Sequence, residues 1–158
     1  MKSMKSKIIS VIAIFIYIVA ISACSKDDNN SSQQNNTVTQ TVTTAQSGSW
    51  KITYFFDSDH EETGHFTGYV FTFNANGSLV AVKGSSTITG TWSVTDGSSS
   101  DDDGGSGDTD FNIFFASPPD FEDLSDDWDI ISVSDSKIEL TDVSGGNGGT
   151  DFLTFQKI

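Results

Sequence analysis

The sequence predicts an all-β domain, an antiparallel up-and-down meander of about eight strands. Three observations point there. Apolar and polar residues alternate with a period of two in short runs from Trp50 onward. Those runs recur at close spacing with turn residues between them. Residues 48–158 carry no long stretch with the three-to-four spacing of an amphipathic helix.

The folded part opens at Gly48. Trp50, Ile52, Tyr54 and Phe56 alternate with Lys51, Thr53, Phe55 and Asp57, so the first set is expected on one buried face. An acidic, histidine-bearing turn leads to a strand expected from His65 to Phe73, with Tyr69, Phe71 and Phe73 on a shared face. Asn74-Ala75-Asn76-Gly77 offers residues that accept a positive φ, which predicts a tight hairpin into Leu79 to Lys83. Ile88, Gly90, Trp92 and Val94 then alternate with Thr87, Thr89, Thr91 and Ser93 as a half-buried strand.

Asp96 to Thr109 is a Ser, Gly and Asp loop, and Phe111, Ile113 and Phe115 share a face after it. Ser117-Pro118-Pro119-Asp120 predicts a helix start, with Ser117 as N-cap and Pro118 in the first position. Phe121 and Leu124 are three apart, so one helical turn is expected to plug an end of the β structure. Strands at 128–133, 137–143 and 152–157 complete the series, with Gly145 to Gly149 as a loose turn. Closing the meander into a barrel removes exposed strand edges; an open sandwich is the alternative.

Residues 1–23 read as a leader. Lys2, Lys5 and Lys7 precede an apolar run from Ile8 to Ala20, shorter than the roughly 20 apolar residues of a comfortable membrane span. An uncleaved membrane anchor is the alternative. Ile21, Ser22 and Ala23 then lead to Cys24, the chain's single cysteine. This stretch resembles the lipobox of bacterial lipoproteins. The resemblance implies cleavage between Ala23 and Cys24, a diacylglyceryl group on the Cys24 thiol, acylation of the new amine, and membrane attachment through that anchor.

Residues 24–47 are the lipidated cysteine and a Ser/Asn/Gln/Thr-rich tether with few apolar side chains, expected to be disordered with a reach of about 25 Å. Ser25 after the cysteine is compatible, in the lipoproteins of Gram-negative bacteria, with transfer to the outer membrane. Lys26-Asp27-Asp28 resembles the Lys-acid-acid export signal of Bacteroidetes surface lipoproteins, which implies an outward-facing anchor. A solvated charged linker is the other reading of those three residues.

Residues 48–158 form the third segment. Gly48-Ser49-Trp50 resembles the Gly-x-Trp signature of the first lipocalin strand, and Gly90-Thr91-Trp92-Ser93-Val94 is similar to the Gly-Thr-Trp strand of small lipocalin-like lipoproteins of Bacteroidetes. The resemblance implies an eight-stranded barrel in which Trp50 closes one end and a small apolar ligand sits in the mouth. Trp50, Tyr54, Tyr69, Phe71 and Trp92 are the candidate lining residues. In that family an arginine usually packs on the signature tryptophan, and this chain has no arginine. A barrel of this size holds either its own side chains or one small ligand. Two noncatalytic readings therefore stand: a ligand binder, or a surface interaction or structural module with a filled barrel.

Composition narrows the partners. Twenty-two acids against eight lysines leave a net charge of −14, which phosphate backbones repel, so nucleic-acid binding is excluded. Once Cys24 is lipidated no thiol remains for disulfides. No cofactor is expected. A calcium ion is the one weak candidate, in the segment from Asp101-Asp102-Asp103 to Asp108-Thr109-Asp110, with Asp101, Asp103, Asp108 and Asp110 as ligands. Registered on Asp101, the EF-hand pattern fails at Gly105, Ser106 and Asn112, so a solvated acidic loop is preferred.

His60-Glu61-Glu62-Thr63-Gly64-His65 sets its histidines five apart rather than four, about 140° from a common helix face. Zinc held across a hairpin by His60, His65 and Asp57 or Asp59 is the residual metal reading. No nucleophile elbow, phosphate-cradling glycine loop or anion-clamping arginine is present, and Glu122 with Asp129 is a chance pair among so many acids. No enzymatic activity is expected. The identity of any protein partner is not written in the sequence.

Overall fold

The computed structural model describes residues 29–96, 109–143 and 149–158, the first seven by backbone alone. In chain order the elements are α1 (Asn29–Gln46), β1 (Trp50–Asp57), β2 (His60–Glu61), a 3-10 turn (Thr63–Phe66), β3 (Val70–Phe73), β4 (Ser78–Lys83) and β5 (Ser86–Asp96). These are followed by β6 (Thr109–Phe114), α2 (Pro119–Glu122), β7 (Asp126–Ser134), β8 (Lys137–Val143) and β9 (Thr150–Lys157).

Neighbouring strands from β3 to β9 pair antiparallel in sequence order, and β9 returns to β1 from Trp50↔Lys157 to Phe56↔Phe152. β1 meets β3 at Trp50↔Phe71. The result is the predicted eight-stranded, closed, up-and-down antiparallel barrel, with β2 a short extra strand folded back on β1. Short hairpins explain the order, because each strand buries its apolar face most readily against its immediate neighbour. At the hairpin expected after β3, Gly77 takes a φ of 80°, and the Gly77 N–H donates to the Asn74 carbonyl at 3.0 Å.

The β1–β3 seam departs from expectation. A strand was expected from His65, but residues 63–66 form the 3-10 turn and β3 starts only at Val70. The reason is packing: Phe66 drops into the barrel, 1% exposed, and a straight strand cannot aim it there while keeping Phe71 inside. The upper part of β1 finds other partners. Its Phe55 N–H donates to Thr63 Oγ1 at 2.8 Å, and the Glu62 N–H donates to the Phe55 carbonyl at 2.9 Å.

Rings fill the interior from several sides. Phe73 meets Phe155 at 5.3 Å and Phe111 at 5.5 Å, Phe71 meets Phe155 at 5.5 Å, and Phe55 meets Trp128 at 6.4 Å. These contacts join β1, β3, β6, β7 and β9 across the lumen. Edge-to-face pairs at such distances add about 0.5–1.5 kcal/mol each beyond their burial.

Both ends are covered. Where β1 finishes, Phe121 of α2 packs on Phe66 at 5.3 Å and on Phe115 at 5.1 Å, with Leu124 fully buried beside it. The expected one-turn plug is therefore present, with a corrected cap. Pro118 rather than Ser117 is the N-cap, Pro119 takes the first position, and no side chain caps the turn.

Where β1 begins, α1 packs on β5, β3, β6 and β7. This corrects the expectation of a disordered stretch, since Asn29–Gln46 is helical. Its Asn, Ser and Thr residues are poor helix formers, so tertiary packing supplies the stability. Val38, Thr41, Val42 and Ala45 form an i, i+3, i+4, i+7 stripe, of which Thr41 and Ala45 are buried and Val42 packs on the core.

Candidate functional site

The five residues expected to line a ligand cavity fall in three different environments. Trp50, Phe71 and Trp92 are buried members of the core, at 0%, 0% and 6% exposure. The Trp50 indole donates to the Ala45 carbonyl at 2.8 Å, and that of Trp92 to the Asn74 carbonyl at 3.0 Å, so both polar tips are satisfied. Lys157 Nζ stands 5.8 Å from the Trp50 ring centroid and donates to Ser47 Oγ at 2.9 Å. A lysine of the last strand thus covers the tryptophan in a chain without arginine. Gly48 makes room for it, because a Cβ there would lie 2.6 Å from Lys157 Cε.

Tyr69 is half-buried at the rim, edge-on to Phe121 at 5.1 Å, with Lys83 Nζ 5.3 Å above its ring. Tyr54 is a correction. The β1–β9 register shifts between Ile52 and Tyr54, so Phe55 turns inward and Tyr54 outward, where it is 39% exposed. The bulge inserts one residue and inverts the alternation beyond it.

That inversion builds an aromatic patch on the outside of the barrel. Tyr54 and Phe56 stack at 6.4 Å with 16° between their planes, and Phe56 is the cross-strand partner of Phe152. Val143, 56% exposed on the same face of β8, lies diagonal to Phe152. The corner of the outer face where β8 ends, β9 begins and β1 ends is therefore apolar, while the rest of that face keeps the polar alternation of a solvated sheet.

The mouth at which β1 finishes is ringed by carboxylates. Asp57, Asp126, Asp142 and Asp151 each stand two residues from a buried inward side chain (Phe55, Trp128, Leu140 and Leu153), so alternation turns them toward the mouth. Asp142 and Asp151 are direct cross-strand partners, a like-charge pairing that destabilises a sheet. Carboxylate oxygens of Asp126, Asp142 and Asp151 lie within 4.8 Å of one another, as do those of Asp57, Glu62 and Asp123. Burial pushes the Asp126 carboxyl up to about 6, helped by its hydrogen bond with Asp127 and by the charge of Asp142. Asp123 is raised as well, first by burial and then by the charges of Glu62, Asp57 and Asp120.

The two histidines meet at Glu62. His60 is bonded to Asp59 through Nδ1 and to Glu62 Oε1 through Nε2 at 2.7 Å, and these bonds, that to Asp59 first, raise its pKa. His65 Nδ1 lies 4.0 Å from Glu62 Oε2 and 3.7 Å from Asp120. Glu62 Oε2 is buried and accepts no hydrogen bond among the described residues. Of the zinc set expected across the hairpin, Asp59 stays with His60, Asp57 joins Glu62 and Asp123 instead, and His65 lies between Glu62 and Asp120. The mouth concentrates negative charge, which attracts cations and turns away anions.

Other expectations lie elsewhere. Ala23, Cys24, Lys26, Asp27 and Asp28 fall outside the described residues, as do Asp101, Asp103 and Asp108 of the acidic loop. Asp110, its last member, is the second residue of β6 and the register partner of Asp129. Among the described residues no helix is long and apolar enough to cross a membrane. Sequence reasoning missed the carboxylate ring because it needs the register of four strands. Each strand alone carried only a fragment of the signal, an acid two places from an inward apolar residue.

No family model matches the chain, and no curated protein matches it. Among solved structures, a DUF4847-family protein from Bacteroides vulgatus is similar over 71% of this chain and 93% of that chain, at 18% identity and a TM-score of 0.45.

Proposed function

We propose that this chain is a noncatalytic, lipid-anchored lipoprotein of the outer membrane whose lipocalin-like barrel acts through its outer face as an interaction module. The observation that supports the outer face over a bound guest is the ring-packed interior, in which Phe55, Phe71, Phe73, Phe111, Trp128 and Phe155 occupy the space a ligand needs. Placing a small apolar molecule there requires displacing side chains that contact one another from opposite walls. The outer patch of Tyr54, Phe56, Phe152 and Val143 supplies the aromatic surface on which a protein partner can bury area.

The anchor rests on Cys24 and its flank, with Lys26-Asp27-Asp28 as the signal for outward exposure. Two experiments test the reading. Cys24→Ala is expected to abolish incorporation of labelled fatty acid and release the protein from membranes; unchanged retention sinks the lipoprotein assignment. For the barrel, titration with an environment-sensitive apolar fluorophore is expected to give no saturable binding. Stoichiometric binding lost on substituting an inward core residue returns the protein to the ligand-carrier class.

A further inference from the structure

The outer face of β5, β6 and β7 forms an open groove of about 630 Å³, within the roughly 300–1,000 Å³ of small-molecule sites. Cross-strand register puts Ser93, Asn112 and Asp127 in one row, with Thr91 beside Phe114 in the next. Asp126 borders it at the start of β7, with its carboxylate turned to the mouth beside Asp142 and Asp151. Phe114 is 58% exposed and its register partner is a threonine, so its ring face stands open among polar groups. The outward-facing charged side chain of the groove is the Asp127 carboxylate, and among the described residues no lysine or histidine lines it.

We propose that this groove binds a small organic amine, its ammonium group paired with Asp127 and its hydrocarbon stem laid on the Phe114 ring. Two features carry the choice of a cation. An aromatic face attracts positive charge through its quadrupole, and nothing in the groove competes for that role. The chain's net charge of −14 draws cations to its surface and repels anions. The site is separate from the aromatic patch on β8, β9 and β1, so it stands or falls independently of the interaction surface.

The test uses the full chain in nonionic detergent, isotope-labelled for NMR, titrated with spermidine, with Mg²⁺ as a cation lacking hydrocarbon and maltose as a neutral guest. Spermidine is expected to shift amides of residues 91–93, 112–114 and 125–127. Phe114→Ala should weaken spermidine about two- to fivefold, the factor an exposed cation–π contact supplies, while leaving Mg²⁺ binding unchanged. Asp127→Asn should weaken both. Phe114→Leu, which keeps bulk without the π face, reads the same loss should the alanine variant fold poorly. The proposal is overturned by shifts confined to the acidic mouth, by spermidine affinity indifferent to Phe114, or by maltose matching spermidine at the same residues.

Discussion

The indole N–H of Trp50 donates to the backbone carbonyl of Ala45 at 2.8 Å, with both residues fully buried. This bond ties the last turn of α1 to the first residue of β1 and satisfies one of the carbonyls that a helix C-terminus leaves without a partner. Trp50→Phe keeps most of the ring but strands that carbonyl in a dry site. The expected cost is about 1–3 kcal/mol, read as a lowered midpoint in urea unfolding and faster amide exchange along residues 38–46. An unchanged midpoint would mean that α1 does not contribute to the stability of the barrel.

Gly90 is a glycine for want of space rather than for its backbone angles. A Cβ there would stand 2.3 Å from the Phe114 carbonyl oxygen and 2.6 Å from the Phe115 ring. Gly90→Ala is therefore expected to destabilise by about 1–3 kcal/mol through overpacking. Gly64, whose added Cβ meets nothing within 4 Å, is the matched control. Gly64→Ala should leave the thermal midpoint essentially where it is; equal losses for both variants would refute the steric account.

Phe121 carries the plug over the mouth. It is 2% exposed and touches the rings of Phe66, Tyr69, Phe71 and Phe115 at 5.1–6.1 Å. Phe121→Ala is expected to cost about 3–5 kcal/mol and to open the mouth to an apolar dye that the native chain excludes. Loss of stability without dye uptake would point to collapse of the 3-10 turn into the space.

Asp126 predicts a pH dependence of unusual sign. Its carboxyl titrates at about 6 in the folded chain, above the ordinary carboxylate range, so the folded state holds the proton more tightly than the unfolded state does. Its contribution is favourable while the group is protonated, below about 4, and is lost as pH rises through 6. The raised Asp123 acts in the same direction. Stability should therefore fall between pH 4 and about 6.5, and Asp126→Asn should flatten that fall and raise the midpoint at neutral pH. Parallel pH curves for the two proteins would show that Asp126 is solvated like any surface acid.

The barrel was legible because period-two alternation and hairpin chemistry are local. Trp50, Ile52, Phe71, Phe73, Trp92, Phe111 and Ile113 lie inside as their strands' patterns require. Where the local pattern failed, a contact distant in sequence had decided. Val38, Thr41, Val42 and Ala45 spelled a helical stripe, but amid Asn, Ser and Thr the stripe becomes a helix only when the barrel end is there to cover it.

Tyr54 turned outward because β9 sets the register of β1, and nothing within Trp50 to Asp57 announces the bulge. No single strand shows the carboxylate ring, since Asp126, Asp142 and Asp151 meet only when β7, β8 and β9 pair in register, and Asp57 joins the rim only when β9 pairs with β1. The sequence by itself determined strand order, hairpins, acidic charge and the motif around Cys24, because each is written in adjacent residues. Which faces close the ends, which aromatic rings remain outside and where negative charge gathers were decided by the tertiary structure, since those depend on the register between strands far apart in the chain.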